Sequence, residues 1–296
     1  MQLDRTTIAI RERGVLDTLD LSLHVLRIYA VPLTATMALG VIPLMLINQL
    51  LLGWMTEPIS DDIVFPVRFV WHMSIQVFLQ AQLASVFATA YLGEAVFEER
   101  PRLVDVIKKV FKMTPRLIWC QMLIRGVAPA LLVLLAVERY GQFDFFLEGF
   151  SLAVLALYAA GMRAFRPFMN EIVLLERNPL TSRKRRVMTV GRRSSMLHGP
   201  SSGDLFVRWC GSALIGVCLM LSIYGTFLFI SGVFLHEWKQ SAFMIQLCLP
   251  LAMWITAMYF AVVRFLTYLD IRIRQEGWEV ELRLRAEAIR LASRLV

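Results

Sequence analysis

The side chains that most often perform catalysis are few and scattered in this sequence. The four histidines, His24, His72, His198 and His236, have no serine or aspartate at the spacing of a hydrolase motif. The sequence also lacks a Walker phosphate loop, a His-Glu-x-x-His zinc motif and a dinucleotide fingerprint. We therefore expect no catalytic residue, no metal site and no cofactor, and the sequence predicts a protein that is not an enzyme.

One group of polar residues interrupts long apolar runs. Arg125 lies inside such a run, where a charge costs at least about 2.5 kcal/mol on insertion scales. Gln121 precedes it by four residues, and His72, Gln76 and Gln80 share the same spacing in another run, so each set lies on one helix face. The pattern predicts a polar seam between two helices. Two roles fit it: a path for a polar or anionic solute, or a structural role, either as a lock of interhelical hydrogen bonds or with Arg125 extending toward a membrane interface.

A second group is strongly basic and lies between apolar runs. Two alternatives fit it: contact with anionic lipid or a partner, or charge that only sets membrane topology. No aromatic residues alternate with the basic residues, so stacking on bases is not supported and we expect no nucleic-acid partner. The basic residues are Arg183, Lys184, Arg185, Arg186, Arg192 and Arg193.

The composition identifies the environment in which these residues must work. Of the 296 residues, 57% are hydrophobic and 18% are charged, and the mean hydropathy is +0.61. A disordered chain, a disulfide-built secreted fold or a collagen-like chain could not hide this much apolar surface from water. The sequence therefore predicts a membrane protein.

Six apolar runs are candidates for membrane-spanning helices, because about 20 residues are needed to cross the hydrocarbon core. Their continuity argues against a membrane β-barrel, whose strands alternate and are about half as long. We predict an all-α polytopic membrane protein with six transmembrane helices in three hairpins and with amphipathic interfacial helices. The runs cover residues 29–53, 69–92, 117–137, 145–162, 211–234 and 243–269.

The basic residues are distributed unevenly between the two sides. Of the 31 Lys and Arg, 27 fall in residues 1–28, in the loops 93–116 and 163–210, or in the tail with Arg264. Positive short loops stay in the cytoplasm during insertion, so both termini are predicted to be cytoplasmic. The chain then divides into an amphipathic N-terminal helix (1–28), a six-helix transmembrane domain (29–269) and an amphipathic C-terminal helix (270–296).

The C-terminal segment has the strongest pattern of charge and polarity. Acidic residues precede basic ones by four positions, the stabilising order on a helix, and an apolar stripe follows from Val280 to Leu295. The stripe is expected to pack on the membrane surface or to dock a partner. The residues of the C-terminal motif are Tyr268, Asp270, Arg272, Arg274, Glu276, Gly277 and Trp278.

The stretch from Tyr268 to Glu279 (YLDIRIRQEGWE) resembles the closing motif of a group of bacterial six-span proteins, the glycerophosphodiester-phosphodiesterase membrane-domain-like group. The segment Leu19-Asp20-Leu21 is similar to its opening helix, and Arg166 to Pro179 looks like a further signature of the group. The named enzymes catalyse in a separate soluble barrel, so the resemblance implies no chemistry here. It does imply a bacterial inner-membrane location and an envelope complex with other membrane proteins and an ATPase system.

Two functional hypotheses follow from these patterns. The first is a non-enzymatic membrane scaffold or assembly subunit of a bacterial envelope complex, with anionic lipids and other membrane or cytoplasmic proteins as partners. The second is a small transporter or channel subunit that uses the polar seam between the second and third helices. A transporter would need broken spans near the midplane, for which Pro43, Pro129 and Pro250 are the candidates. The sequence leaves the oligomeric state open.

Overall fold

The fold is a bundle of apolar helices. The computed structural model describes residues 14–56, 66–96, 98, 101–138, 142–182, 187–234, 236, 238 and 240–276, in which there is no β-strand. The helices are α1 (Val15–Ile28), α2 (Ala30–Leu52), α3 (Val67–Ala84), α4 (Val86–Ala95), α5 (Leu103–Ile118), α6 (Val127–Ala136), α7 (Ser151–Phe165), α8 (Met169–Leu174), α9 (Val190–His198), α10 (Ser202–Phe234) and α11 (Leu249–Glu276). Three π-helical segments adjoin these helices directly. Trp119–Ile124 follows α5, Phe145–Phe150 precedes α7, and Met244–Cys248 precedes α11.

In the part of the chain that the structure describes, five continuous helical stretches are long and apolar enough to cross a bilayer, and a sixth is a bent pair. This confirms the predicted all-α polytopic membrane fold. The five are Ala30–Thr56, Val67–Ala95, Phe145–Phe165, Ser202–Phe234 and Met244–Gln275, and the bent pair is Leu103–Ile124 with Val127–Ala136. Their alternating directions define two ends of the bundle. The terminal face carries the start of α2 and the end of α11, and the turn face carries the ends of α2, α6 and α10.

The third span is broken between α5 and α6. The two halves meet at an angle of 60°, and Gly126 at the break has φ +80, a left-handed conformation that glycine adopts without steric cost. Pro129 is the nearest of the three proline candidates for a break, but the bend lies three residues before it. Pro129 is the third residue of α6, within the first turn, where a missing N–H removes no helical hydrogen bond.

The helices differ in how much protein surrounds them. The α3–α4 span is at the centre, with most of its apolar window buried, whereas the apolar window of α10 has no buried residue. The α2 backbone approaches α3 so closely at Gly40 that a Cβ atom there would overlap the carbonyl of Ala84. The centre of the bundle is therefore tightly packed around α3, and α10 lies at its edge.

Two helices on the terminal face are amphipathic, as predicted. In α5, Val106 and Val110 are buried while Lys108 and Lys109 are exposed. In α1, Leu19 and Val25 are buried. Phe111 of α5 is 62% exposed.

The connection after α7 enters the interior. All six residues of α8 are buried, including Asn170 and Glu171, which are fully buried. The sequence had placed this segment in a basic loop. It is instead packed against α4, α5 and α9, and it brings a carboxylate into the apolar bundle.

Candidate functional site

The first buried polar group is centred on Glu148, near the turn face. Both carboxylate oxygens accept from Arg68, at 2.7 Å each, and His72 Nε2 lies 2.9 Å from Glu148 Oε2. The side chains of His72 and Glu148 are almost fully buried. A bidentate arginine pair of this kind is short and directional, so it ties the first turn of α3 to the start of the Phe145–Phe165 span.

The second group is a ladder of amides along the next turns of α3. Asn48 and Gln80 exchange two hydrogen bonds of 2.9 Å, each amide donating to the carbonyl oxygen of the other. Gln80 also donates to Gln76, which in turn donates to the backbone carbonyl of Ala130. All three amide side chains are buried. The ladder therefore joins α2, α3 and α6 through hydrogen bonds that close on one another.

The third group lies nearer the terminal face and is centred on an ion pair. Arg264 Nε donates to Glu171 Oε1 at 2.8 Å, and Glu171 is fully buried. The same guanidinium donates to the side chains of Gln82, Ser85 and Thr89. A single arginine of α11 thus contacts α3, α4 and α8 and links these elements.

The predicted seam is divided between these groups. His72, Gln76 and Gln80 do form one polar line on α3, but Gln121 and Arg125 have other partners. Gln121 donates to Asn170 of α8. Arg125 Nη2 donates to the carbonyls of Arg166 at 2.9 Å and Pro167 at 3.3 Å.

Arg125 is only partly satisfied. It is 3% exposed, and its Nε and Nη1 have no hydrogen-bond acceptor among the described residues. Burying an arginine with two unpaired donors is costly. Arg125 lies next to Gly126, at the break between α5 and α6, where the backbone departs from helical geometry.

The described part of the C-terminal motif packs against the segment around α8 and α9. Tyr268 is fully buried, stacks edge-on against Phe168 and donates its hydroxyl to Glu176 Oε1 at 2.9 Å. Arg272 Nε lies 3.9 Å from the same carboxylate. The two segments that resembled a family pattern, Arg166 to Pro179 and the start of the tail, are therefore in direct contact.

The remaining motif residues form a smaller charged group. Asp270 pairs with Arg274 four residues later at 3.0 Å, and with Arg208 of α10 at 3.4 Å. The acid-before-base spacing thus does form an ion pair on a helix. Glu276 ends the described helix, and Gly277 and Trp278 lie outside the described residues.

The basic group predicted to contact lipid or a partner is only partly described. Arg183, Lys184, Arg185 and Arg186 lie outside the described residues, and Arg192 is exposed. Arg193 pairs within the protein: it donates two hydrogen bonds, of 2.5 and 2.8 Å, to the carboxylate of Glu176. Burial alone would raise the pKa of Glu176, but the bonds from Arg193 and Tyr268 lower it below its ordinary value.

His198 is buried beside the same contact. Its Nε2 accepts from the backbone N–H of Phe168 at 3.3 Å, its ring stacks on Phe168, and Nδ1 lies 2.7 Å from the carbonyl of Ser194. Burial lowers the pKa of His198 to about 4. The ring is therefore neutral at pH 7 and supports the turn into α8 as a structural group.

Fold and polar groups together define a class: an all-α, multi-pass membrane protein with three buried polar clusters. Within the described residues, no cluster of three or more His, Cys, Asp or Glu could hold a metal ion. No protein-family model matches the chain, and neither a curated protein nor a solved structure matches it. The proposed function therefore rests on the geometry of the buried polar groups.

Proposed function

We propose that this protein is a non-enzymatic scaffold or assembly subunit of a bacterial envelope complex, placed in the inner membrane with both termini in the cytoplasm. The observation that carries the proposal is the mutual pairing of the polar side chains around α3. Glu148 is paired with Arg68 and His72, and Asn48 with Gln80. These bonds hold α2, α3, α6 and α7 in one arrangement, as a fixed platform for partners requires. A solute path through the same residues would have to break them.

The distribution of charge supports the proposed orientation. The terminal face collects α1, α5, α9 and the end of α11, and 27 of the 31 Lys and Arg belong to the segments on that side. Such a surface suits anionic lipid headgroups and acidic protein surfaces. Partners are proposed to be anionic lipids and other membrane or cytoplasmic proteins.

The orientation predicts a definite pattern of reporter fusions. Reporters fused after Asp61, Asp144 and Glu237 should give periplasmic signals, because these positions follow odd-numbered spans in a chain that starts inside. Alkaline phosphatase activity against fluorescent-protein signal measures this directly. Fusions after Arg102 and Gly199 are the matched controls and should report from the cytoplasm. A cytoplasmic signal at Asp144 would contradict the third and fourth spans as drawn.

The scaffold proposal predicts that the tail is needed for partners and dispensable for insertion. Deleting residues 278–296 should leave the spans inserted, since the described ion pairs that hold them all precede residue 277. Co-purification of at least one protein partner in mild detergent should be lost. Tagged full-length and truncated chains, cross-linked in cells and analysed by mass spectrometry, provide the measurement.

A chain in which residues 278–296 are replaced by a flexible tail of equal length is the control for length alone. It should behave as the deletion does. If either altered chain retains every partner of the full-length protein, the scaffold role of the tail is wrong, and lipid anchoring is the role left for it.

A second candidate is a small transporter or channel subunit. The observation that favours it is the break at Gly126, next to Arg125 with its two unpaired donors. Discontinuous helices of transporters often place ion or substrate sites at such breaks. Anion flux into proteoliposomes separates the candidates, because a scaffold gives no flux above that of empty vesicles.

A further inference from the structure

A cavity of about 540 Å³ lies between the peripheral helix α10 and the helices α3, α7 and α11. Its size is within the usual range of small-ligand sites, about 300–1,000 Å³. Most of its wall is apolar, with Val77, Phe78, Met220, Met253 and Phe260 among the lining residues. None of the three polar groups of the candidate site is centred on this cavity, although Arg264 and Gln82 reach its wall.

One end of the cavity carries three arginines, Arg163, Arg208 and Arg264. Two of them have carboxylate partners. Arg264 pairs with Glu171, and Arg208 pairs with Asp204 at 2.8 Å and with Asp270 at 3.4 Å. The Nη1 atom of Arg208 faces Asp270 Oδ2 at this 3.4 Å distance without forming a hydrogen bond among the described residues.

Arg163 has no carboxylate partner within ion-pair distance in the described part of the chain. Its guanidinium donates to the backbone carbonyl of Phe78 and lies 3.9 Å from the centre of that ring. A carbonyl and an aromatic face hold a cation in place but do not neutralise it. Arg163 therefore brings an uncompensated positive charge to the cavity wall.

The charge behind the wall has the same sign. Arg125 and Arg264 are both within electrostatic range of Arg163, and Glu171 is the carboxylate that acts on Arg125. Three guanidinium groups and one carboxylate leave an excess of two positive charges. In a medium of low dielectric constant this excess attracts an anion strongly.

The length of the cavity distinguishes a lipid from a small anion. Along α11 the lining runs from Met253 to Thr267, fifteen residues, and the first and last of these are about 21 Å apart along the helix. This is somewhat more than one leaflet of a bilayer whose hydrocarbon core is about 30 Å thick. Arginines at one end and apolar walls along the rest match a charged headgroup with an acyl chain.

We propose that this cavity binds one anionic phospholipid from the surrounding bilayer. Its phosphate contacts Arg163 and Arg208, and one acyl chain lies between α10 and α11. The site does not depend on the scaffold role, which concerns protein partners of the tail. A failure of one therefore does not imply a failure of the other.

The first test removes the uncompensated charge. Full-length protein is exchanged from detergent into phosphatidylglycerol or phosphatidylcholine, and retained lipid is counted by native mass spectrometry. Arg163→Gln should weaken retention of phosphatidylglycerol about tenfold, the usual loss for one charge-assisted hydrogen bond. Arg166→Gln is the matched control, since this side chain is exposed at the same helix end. It should retain the lipid as the unaltered protein does.

The second test fills the apolar part of the cavity and leaves the arginines in place. Ala213→Trp places a large ring on a lining position of α10, whereas Leu214→Trp places it on the adjacent, outward-facing position. Ala213→Trp should lose phosphatidylglycerol and Leu214→Trp should not. Comparable circular dichroism spectra establish that both fold.

Inorganic phosphate is the third probe, used alone and as a competitor. If phosphate binds the unaltered protein and Ala213→Trp still retains it, the site takes a free anion and the lipid proposal is overturned. Equal retention of phosphatidylglycerol and phosphatidylcholine, or retention unchanged by Arg163→Gln, overturns it as well.

Discussion

Replacing Glu171 with glutamine is expected to lower the free energy of unfolding by about 3–5 kcal/mol, the usual cost of breaking a buried ion pair from one side. The carboxylate is fully buried and accepts from Arg264 at 2.8 Å. Glutamine has the same shape but no charge, so Arg264, Arg125 and Arg163 would lie together without a counter-ion. Thermal unfolding in detergent should show a midpoint lower by on the order of 10 °C.

Two further variants isolate the buried charge as the cause. Glu94→Gln removes the carboxylate from an ion pair whose Lys109 side chain is 52% exposed, and it should cost no more than about 1 kcal/mol. Combining Glu171→Gln with Arg264→Met removes both charges and should recover part of the loss. Equal effects of Glu171→Gln and Glu94→Gln would show that α8 contributes little to the stability of the bundle.

Replacing Gly40 with alanine is expected to destabilise the protein by about 3 kcal/mol or more, at the upper end of overpacking effects. The added Cβ would overlap the carbonyl carbon and oxygen of Ala84. Both are backbone atoms, so no side chain can rotate away to relieve the overlap. The helices α2 and α3 would have to separate, and the hydrogen bonds between Asn48 and Gln80 would lengthen. The fraction of protein that is monodisperse after extraction, together with the thermal midpoint, measures the effect.

Gly225→Ala is the matched control, because a Cβ at this position of α10 meets nothing within 4 Å. The substitution should be neutral, or stabilising by up to about 1 kcal/mol through the higher helix propensity of alanine. A Gly40→Ala protein as stable as Gly225→Ala would show that α2 and α3 pack less closely than the structure has them.

The fold class could be predicted because a bilayer imposes a length on each apolar run. Residues 211–234 and 243–269 are continuous enough that no other structure satisfies their backbone groups in lipid. The bend in the third span could not be predicted in the same way. The hydropathy of the span identified the segment, but the bend depends on the left-handed conformation of Gly126, and a glycine in an apolar run does not by itself indicate a break.

The sequence predicted that polar side chains line α3, but it did not predict their partners in other helices. The spacing of His72, Gln76 and Gln80 indicated a buried polar line, since four-residue steps keep to one helix face. It did not reveal the partners, because Asn48 and Glu148 lie in other spans. For these residues helix rotation decides which side chains meet, and rotation depends on the packing of the whole bundle.

The burial of α8 was missed for a physical reason. Six residues are too few for a hydropathy window, and Asn170 and Glu171 make the segment look polar. One signal could have found it. Arg125 and Arg264 both lie in or beside apolar runs, and two such arginines require a carboxylate nearby. Glu171 lies in a short segment whose other residues, apart from Asn170, are apolar, and it was available for that role.

The ion pair between Glu171 and Arg264 can form only after both residues have been synthesised. The two residues are separated by 93 positions, so at about 5–20 residues per second the arginine is synthesised roughly 5–20 s after the glutamate. During that interval the carboxylate has none of its Arg264 contact, while α9 and α10 are being synthesised. The buried ion pair of this protein therefore forms late, when its last span arrives, and a factor that shields Glu171 until then must act within those seconds.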